Sequence, residues 1–291
     1  MNINKSNLAS LGSTSLFVLI WSSGAFFSKL GLQHASIFTF LILRFALAFV
    51  LLLGLGLWRG QWRPDPGTRG RVALAGLLML GGYASFFLLA LDHGLTPGVL
   101  ATVLGVQPIL TLLVQEGRFS GQRLAGLVLS LTGLTVVVWH SLIVARFSLT
   151  GLACALAALG CMTVGAILQK QVKQSPWQVL PWQYGCSLIL CVVIGVFQPW
   201  HVDFQPGFLV AWLWLSLVIS VLAQLLFYRL IQRGNLVNVT SLFYLVPVMT
   251  AVLDYLLLGN SLSVQTFLGM SGILLGLMLV FRPVKMSSAG N

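Results

Sequence analysis

Ten long apolar runs, separated by short polar loops, occupy most of the chain. Each has about the 17 to 25 residues that a helix needs to cross the hydrocarbon of a bilayer. Strands are disfavoured, because the runs lack polar–apolar alternation and barrel strands are about half as long. The sequence therefore predicts an all-α membrane protein with ten transmembrane helices, roughly at 9–29, 37–58, 72–91, 97–113, 124–140, 149–168, 179–197, 208–230, 236–258 and 264–281.

Charge is too scarce for a water-soluble domain of 291 residues. Charged residues make up 7% of the chain, against about a quarter in soluble domains. A soluble core of this size would need a charged shell that the composition cannot supply. Lipid is therefore the expected solvent for most of the surface.

The first run also has the features of a secretory signal peptide. Lys5 would be its basic start, and the small residues at 22–25 a cleavage zone. Cleavage there would leave nine membrane spans, so this alternative stays open.

The distribution of Lys and Arg predicts the orientation in the membrane. With the N-terminus in the cytoplasm, 13 of the 16 basic residues fall on the cytoplasmic side, and only Lys29 and Arg146 on the other. Both termini are then cytoplasmic. The net charge of +11 follows from this bias and from contact with anionic lipid headgroups, so no nucleic-acid partner is expected.

The cysteines lie within the apolar runs and lack metal-like or redox-like spacing. We therefore expect packing roles, without disulfides, metals or other cofactors. The four residues are Cys154, Cys161, Cys186 and Cys191.

The two halves of the chain repeat. Residues 21–29 and 162–170 share a glycine, an alanine and a lysine at an offset of 141. Pro108 recurs as Pro247, at an offset of 139. At an offset of 143, Gln122, Gly126 and Gly133 recur as Gln265, Gly269 and Gly276.

The repeat predicts two five-helix units, 1–146 and 147–291. Since five is odd, the second unit would enter the membrane from the opposite side. Inverted repeats of this kind build transporters that alternate access around a site near the bilayer midplane. Because one chain holds both units, a monomer is expected to suffice.

Several motifs together resemble the EamA family of the drug/metabolite transporter superfamily. They are the stretch 21–29, Leu43-Arg44-Phe45, the two mid-run prolines and the paired Gln-x-x-x-Gly starts of runs five and ten. The resemblance covers nearly the whole chain. It implies a ten-helix carrier of the bacterial inner membrane, usually an exporter of amino acids or related small metabolites. It also implies a central cavity lined chiefly by runs one, three, four, six, eight and nine, with runs five and ten peripheral.

The chain departs from the family pattern before runs five and ten. Many members carry Gly-Glu there, whereas this chain has Glu116-Gly117 and Gly259-Asn260. A role for that acid in capping the next helix is therefore weakened or displaced.

Polar and aromatic residues near the middle of the runs are the candidates for substrate binding. Hydroxyls and amides can bond the carboxylate and amino groups of a small metabolite, and aromatic rings can enclose an apolar side chain. Each could instead join helices, although an amide in hydrocarbon has a particular need for partners. The candidates are Trp21, Ser22, Ser23, Tyr83, Ser85, Phe86, Thr102, Gln107, Met162, Thr163, Gln224, Ser241 and Tyr244.

Arg44 and Asp254 are the ionisable residues clearly inside apolar runs. Both lie roughly 10 Å below the predicted outer face, which permits a gate or a structural ion pair. Pro108 and Pro247 remove helix hydrogen bonds and are expected to kink their helices, either as mechanical elements or as static bends.

We therefore expect a secondary transporter that exports small metabolites by alternating access, most simply by facilitated diffusion, and not an enzyme. The alternatives are a proton-coupled antiporter using Asp254 and a flippase for lipid carriers. An enzyme would need a set of acids, histidines or nucleophiles, and the apolar runs contain no such set. A channel would need rings of filter residues or lining charges.

Overall fold

The computed structural model describes residues 5–116, 120–144, 148–258 and 263–282, without the side chains of 5–11, 141, 144 and 253–258. Gly117, Arg146, Gly259 and Asn260 lie outside the described residues, as does the side chain of Asp254.

Every apolar run forms a helix in the part of the chain that is described, and no strand occurs there beyond an isolated bridge between Ala35 and Val202. Pro181 is accommodated inside its helix. The helices are α1 (Lys5–Ser22 and Gly24–Leu32), α2 (Ile37–Trp58), α3 (Arg69–Asp92), α4 (Pro97–Leu104 and Gln107–Gln115), α5 (Gly121–Val137 and Trp139–Val144), α6 (Leu149–Lys170), α7 (Pro176–Gly195), α8 (Pro206–Arg233), α9 (Leu236–Ser241, Leu242–Tyr244 and Leu245–Leu258) and α10 (Val264–Phe281).

Among the described residues, 8 helices are long and apolar enough to cross a membrane. The first part of α5, Gly121–Val137, and the part of α9 at Leu236–Val252 are shorter apolar helices. Ten membrane spans therefore stay a prediction.

Short polar side chains cap several helices. The Ser120 side chain accepts a hydrogen bond from the Arg123 amide at the start of α5, and Ser263 accepts one from Thr266 at the start of α10. Such caps satisfy donors that the first helical turn leaves open. Serine thus takes the capping position before both helices, and Glu116 pairs instead with Arg123.

The loops gather at two faces of the bundle. On one face, His34 accepts a hydrogen bond from the Asp203 amide, and Ser36 donates one to the His201 carbonyl. We call this the Lys29 face, because α1 ends there. On the opposite face, which we call the Lys170 face, Gln174 follows α6 and Thr68 precedes α3. The Gln174 side chain donates a hydrogen bond to the Thr68 hydroxyl there.

Helices α5 and α10 cross with reciprocal contacts. The Gln122 side chain donates to the Leu279 carbonyl at 3.0 Å, and the Gln265 side chain donates to the Val136 carbonyl at 3.2 Å. Both donors and both acceptors are related by the offset of 143. The contact is therefore the same when the two halves are exchanged.

Helices α4 and α9 are interrupted at equivalent places. α4 breaks between Leu104 and Gln107, and α9 narrows to a 3₁₀ turn at Leu242–Tyr244. Each proline then lies in the first turn of the following segment, where its missing N–H costs least. The Tyr244 hydroxyl donates to the Gly105 carbonyl at 2.5 Å and joins the two breaks.

Candidate functional site

A cavity of about 670 Å³ lies between the two halves of the bundle. Its lining reaches Lys29, Pro97 and Gly98 on the Lys29 face. Toward the Lys170 face, the described lining ends near the middle of each helix. These deepest lining residues, called the floor below, are Trp21, Met79, Gln107, Met162, Gln224 and Phe243.

Equivalent positions of the two halves meet in this cavity. Trp21 and Met162 are related by the offset of 141, as are Tyr83 and Gln224, and all four line the cavity. Gln107 and Val246, related by the offset of 139, do so as well. The cavity therefore lies where the repeated segments come together.

A π-helical segment precedes Tyr83 in α3, and another precedes Gln224 in α8. The π-helical segment Leu77–Gly82 leads into Tyr83, whose amide donates to the carbonyl of Leu78, five residues earlier. In α8 the π-helical segment Trp214–Ala223 leads into Gln224 in the same way. π-turns are rare and often occur at functional sites.

Three polar residues of the lining have donor atoms without a partner among the described residues. The Nε2 atoms of Gln107 and Gln224 have no hydrogen-bond partner, although both residues are buried. The guanidinium of Arg44 donates through Nε to the Ser220 hydroxyl at 2.8 Å, and its two other nitrogens have no partner among the described residues. Unpaired donors in apolar surroundings are costly, and seven further buried side-chain atoms of described residues outside this lining are unpaired as well.

Some of the residues singled out from the sequence line the cavity, and others do not. Trp21, Ser22, Tyr83, Gln107, Met162 and Gln224 line it, together with Arg44 and Pro247. Outside the lining lie Ser23, Ser85, Phe86, Thr102, Thr163, Ser241, Tyr244 and Pro108.

Most hydroxyls outside the lining bind their own helices. Thr163 donates to Leu159, Thr102 to Gly98 and Ser241 to Asn238. Ser23 accepts from the Trp214 indole, and the Tyr244 hydroxyl joins the two breaks. These contacts join or satisfy helices, and they leave the groups outside the cavity surface.

Several lining residues are absent from the sequence-based set, including Lys29, Phe45, Phe87, Tyr184, Phe243 and Thr250. Phe87 lies one turn after Tyr83, so helical spacing alone would have suggested it. Tyr184 and Phe45 come from α7 and α2, and α5 also contributes to the wall. The lining is thus broader than the six helices that the resemblance implies.

The cavity is closed toward the Lys170 face by a plug of aromatic side chains. Phe17 stacks on Phe227 with ring centroids 5.3 Å apart, and Trp21 lies 5.4 Å from Phe243. Phe17 and Phe227 are fully buried. These rings fill the space between the floor and the Lys170 face at this position.

Lys170 binds the end of α8, the helix that carries Phe227 of the plug. Lys170 Nζ donates to the carbonyls of Ile231, Gln232 and Gly234 at 2.8, 3.2 and 2.6 Å. A cation at a helix C-terminus satisfies free carbonyls and complements the helix dipole. The equivalent Lys29, on the open side, is exposed and has no hydrogen-bond partner among the described residues.

A second set of contacts, an ion pair with hydrogen bonds, lies at the same face. Arg123 forms an ion pair with Glu116 and donates to Asn238 at 2.8 Å, and Asn235 donates to Glu116 at 3.1 Å. These bonds tie the end of α4 and the start of α5 to the start of α9.

The comparisons with known proteins agree with this architecture. The model of the EamA-like transporter family matches residues 11–139 and 149–282. The chain belongs to this family. It is 24% identical over 264 residues to an uncharacterized transporter from Archaeoglobus fulgidus, covering 87% of this chain and 91% of that protein. A protein of known crystal structure shares the fold, with a TM-score of 0.78, 19% identity and coverage of 94% and 97% of the two chains.

The family membership makes the chain a multi-pass membrane transporter, as its apolar helices require. The family model matches twice, once in each half, with a short gap near the boundary expected from the repeat.

Proposed function

We propose that this EamA-like transporter exports small metabolites, amino acids or related compounds, across the inner membrane of a bacterial cell by alternating access. The observation that carries the proposal is the cavity, whose lining reaches the exposed residues Lys29 and Pro97 at one face and ends at buried aromatic side chains toward the other. Its volume suits a small metabolite. Trp21, Phe87 and Phe243 would enclose an apolar part, while Gln107 and Gln224 would bind polar groups.

The reciprocal contacts support an inverted repeat. Exchange of the halves maps the Gln122–Leu279 bond onto the Gln265–Val136 bond, and it relates the interrupted α4 to the interrupted α9. Such a repeat lets one half adopt the shape of the other. Opening at the Lys29 face in one state then implies opening at the Lys170 face in its counterpart.

The two repeated lysines would act as alternating latches. In the present state Lys170 holds the end of α8, while Lys29 binds no described residue. In the counterpart state Lys170 would be released, and Lys29 would hold the equivalent end of α3 near residues 90–93. Because the Lys170 face collects most basic residues, it would be cytoplasmic together with both termini. The present state would then face outward.

Transport without catalysis fits the lining. Among the described lining residues there is no carboxylate, histidine or cysteine, and these are the groups that most often carry acid–base or nucleophilic catalysis. Facilitated diffusion is the simplest energetics, with the substrate gradient setting the direction.

Flux into liposomes tests this proposal. Purified protein should carry a labelled amino acid or related metabolite saturably, at a rate unchanged when the pH gradient is collapsed. A flux that requires the pH gradient and disappears in Asp254→Asn would favour the proton-coupled antiporter. Movement of lipid-linked carriers that soluble amino acids do not inhibit would favour the flippase.

Gln224→Leu should reduce flux without weakening the fold. The Gln224 amide nitrogen is buried without a partner, so its removal should leave the free energy of unfolding within about 1 kcal/mol of wild type. Flux at low substrate concentration should fall at least about tenfold, since a buried polar contact to the substrate is lost. Thermal unfolding and initial rates of uptake measure the two quantities.

Gln183→Leu is the matched control in α7. Gln183 is buried outside the cavity and donates to Val72 and Gln169. Its replacement should lower stability by about 1 to 3 kcal/mol and leave the apparent KM of the folded protein unchanged. Equal KM values for Gln224→Leu and wild type would contradict the role given to Gln224.

A further inference from the structure

One wall of the cavity carries a positive charge. Arg44 in α2 lines the cavity and is half-buried among Phe45, Tyr83 and Tyr184. Its Cζ lies 5.7 Å from the centre of the Phe45 ring. A guanidinium stays protonated in proteins, so this wall keeps a full positive charge within the membrane-embedded part of the bundle.

The guanidinium is held in one orientation. Ser220 accepts from Arg44 Nε at 2.8 Å through its hydroxyl, and its carbonyl accepts from the Tyr184 hydroxyl at 2.6 Å. Ser220 lies in the π-helical segment of α8 and is almost fully buried. The anchored Nε leaves both terminal nitrogens of the fork without a partner among the described residues.

A protein carboxylate does not neutralise this charge in the described residues. The one ion pair found there joins Arg123 to Glu116, at the Lys170 face. Helix α2 packs against α7 and α8, whereas the last segment of α9, which carries position 254, packs against α1 and α10. Position 254 nevertheless follows Thr250 and Ala251 by one turn, and these two residues line the same cavity as Arg44, so the Asp254→Asn variant belongs in the test.

From this geometry we infer that Arg44 is the anchor for a carboxylate of the transported molecule, whose class is small organic acids with an apolar body, zwitterionic amino acids included. The inference rests on the proposed function. A carboxylate accepts two parallel hydrogen bonds from a guanidinium fork, and it supplies the counter-charge that an arginine in a membrane requires. Amines and amides of the same shape would lack that contact.

Matched acid and amide pairs test the assignment by binding. We would measure thermal unfolding of the detergent-solubilised full chain with L-phenylalanine, L-phenylalaninamide, 3-phenylpropanoate and 3-phenylpropanamide. In wild type each acid should bind at least about tenfold more tightly than its amide. Arg44→Gln should abolish the difference, and Arg44→Lys, which keeps the charge without the fork, should retain part of it.

Two further variants separate the explanations. Asp254→Asn should preserve the preference for acids, whereas the same loss in Asp254→Asn and Arg44→Gln would overturn the assignment in favour of an ion pair between them. Ser220→Ala should weaken acid binding only partly, because it frees the fork without removing it.

The remaining outcomes are decisive as well. Persistence of the acid preference in folded Arg44→Gln, or no acid binding to wild type, would overturn the carboxylate site even if neutral compounds are transported. Acid binding that depends on Arg44, without flux of any labelled acid in liposomes, would support the site and refute the proposed transport.

Discussion

Replacing Gly133 with alanine is expected to destabilise the protein by about 2 to 3 kcal/mol, the range for overpacking a tight contact. An added methyl carbon would lie 2.6 Å from the Gly269 carbonyl oxygen and 2.7 Å from the Ile273 amide nitrogen. Both atoms belong to backbone, which cannot move aside as the end of a side chain can. Helices in lipid associate through such small-residue contacts, so the α5–α10 crossing should open.

The reciprocal geometry makes the same prediction for the other half. A methyl carbon on Gly269 would lie 2.7 Å from the Gly133 carbonyl oxygen, and one on Gly126 would lie 2.7 Å from that of Gly276. Each alanine variant should therefore lose a similar amount of stability. Chemical unfolding in mixed micelles, with the yield of monodisperse protein, would measure the loss.

Gly272, in α10 at the same crossing, is the matched control. A methyl carbon there would approach Gly133 no closer than 3.4 Å, an ordinary contact. Gly272→Ala should stay within about 0.5 kcal/mol of wild type. Equal stabilities for the Gly133 and Gly272 variants would show that the close crossing does not hold the two halves together.

Replacing Lys170 with methionine is expected to open the Lys170 face and to cut flux by more than about tenfold. The variant loses three hydrogen bonds from a charged donor to the end of α8. Since the released lysine would be hydrated, we take a net loss of about 2 kcal/mol, which shifts the two-state equilibrium by about 30-fold.

Accessibility of Ala166→Cys measures the opening. Ala166 lies between Met162 on the floor and Lys170, on the same face of α6, and is fully buried. In a background whose native cysteines are replaced by alanine, a membrane-impermeant maleimide should label this site slowly. Adding Lys170→Met should raise the labelling rate at least about tenfold.

Two lysine variants serve as controls. Lys173→Met removes a charge from the same face but no hydrogen bond made by a described residue, so labelling should not change. Lys29→Met should also leave Ala166→Cys protected, yet reduce flux, because Lys29 would latch only the counterpart state. Unchanged labelling in Lys170→Met would contradict the latch.

Much of the helical framework could be predicted from the sequence. All the apolar runs are helical where described, and the run interrupted by Pro181 and Gln183 forms a regular α7. The preference of an apolar segment for lipid and for internal hydrogen bonding depends on that segment alone. The repeated prolines, glutamines and glycines also predicted which positions of the two halves correspond, because internal similarity can be found in the sequence alone.

The cavity wall was less accessible to sequence reasoning. Gln107 and Gln224 were found because an amide within an apolar run is rare and costly. Thr163 and Tyr244 have equally polar side chains, but they bind the carbonyls of Leu159 and Gly105. Polarity at mid-run cannot tell a group that serves its own bundle from one that faces a ligand.

The sequence by itself determined that the chain is helical, apolar and repeated, because partition into lipid and internal similarity are properties of segments. Only the tertiary structure decided which side of each helix meets the cavity and that Lys170 is engaged while Lys29 is not, within the described part of the chain. It also decided that Ser220 holds Arg44 by Nε and that no described residue binds the terminal nitrogens. These features depend on how the helices rotate and cross. Packing between segments far apart in the chain fixes the rotation and the crossing of the helices.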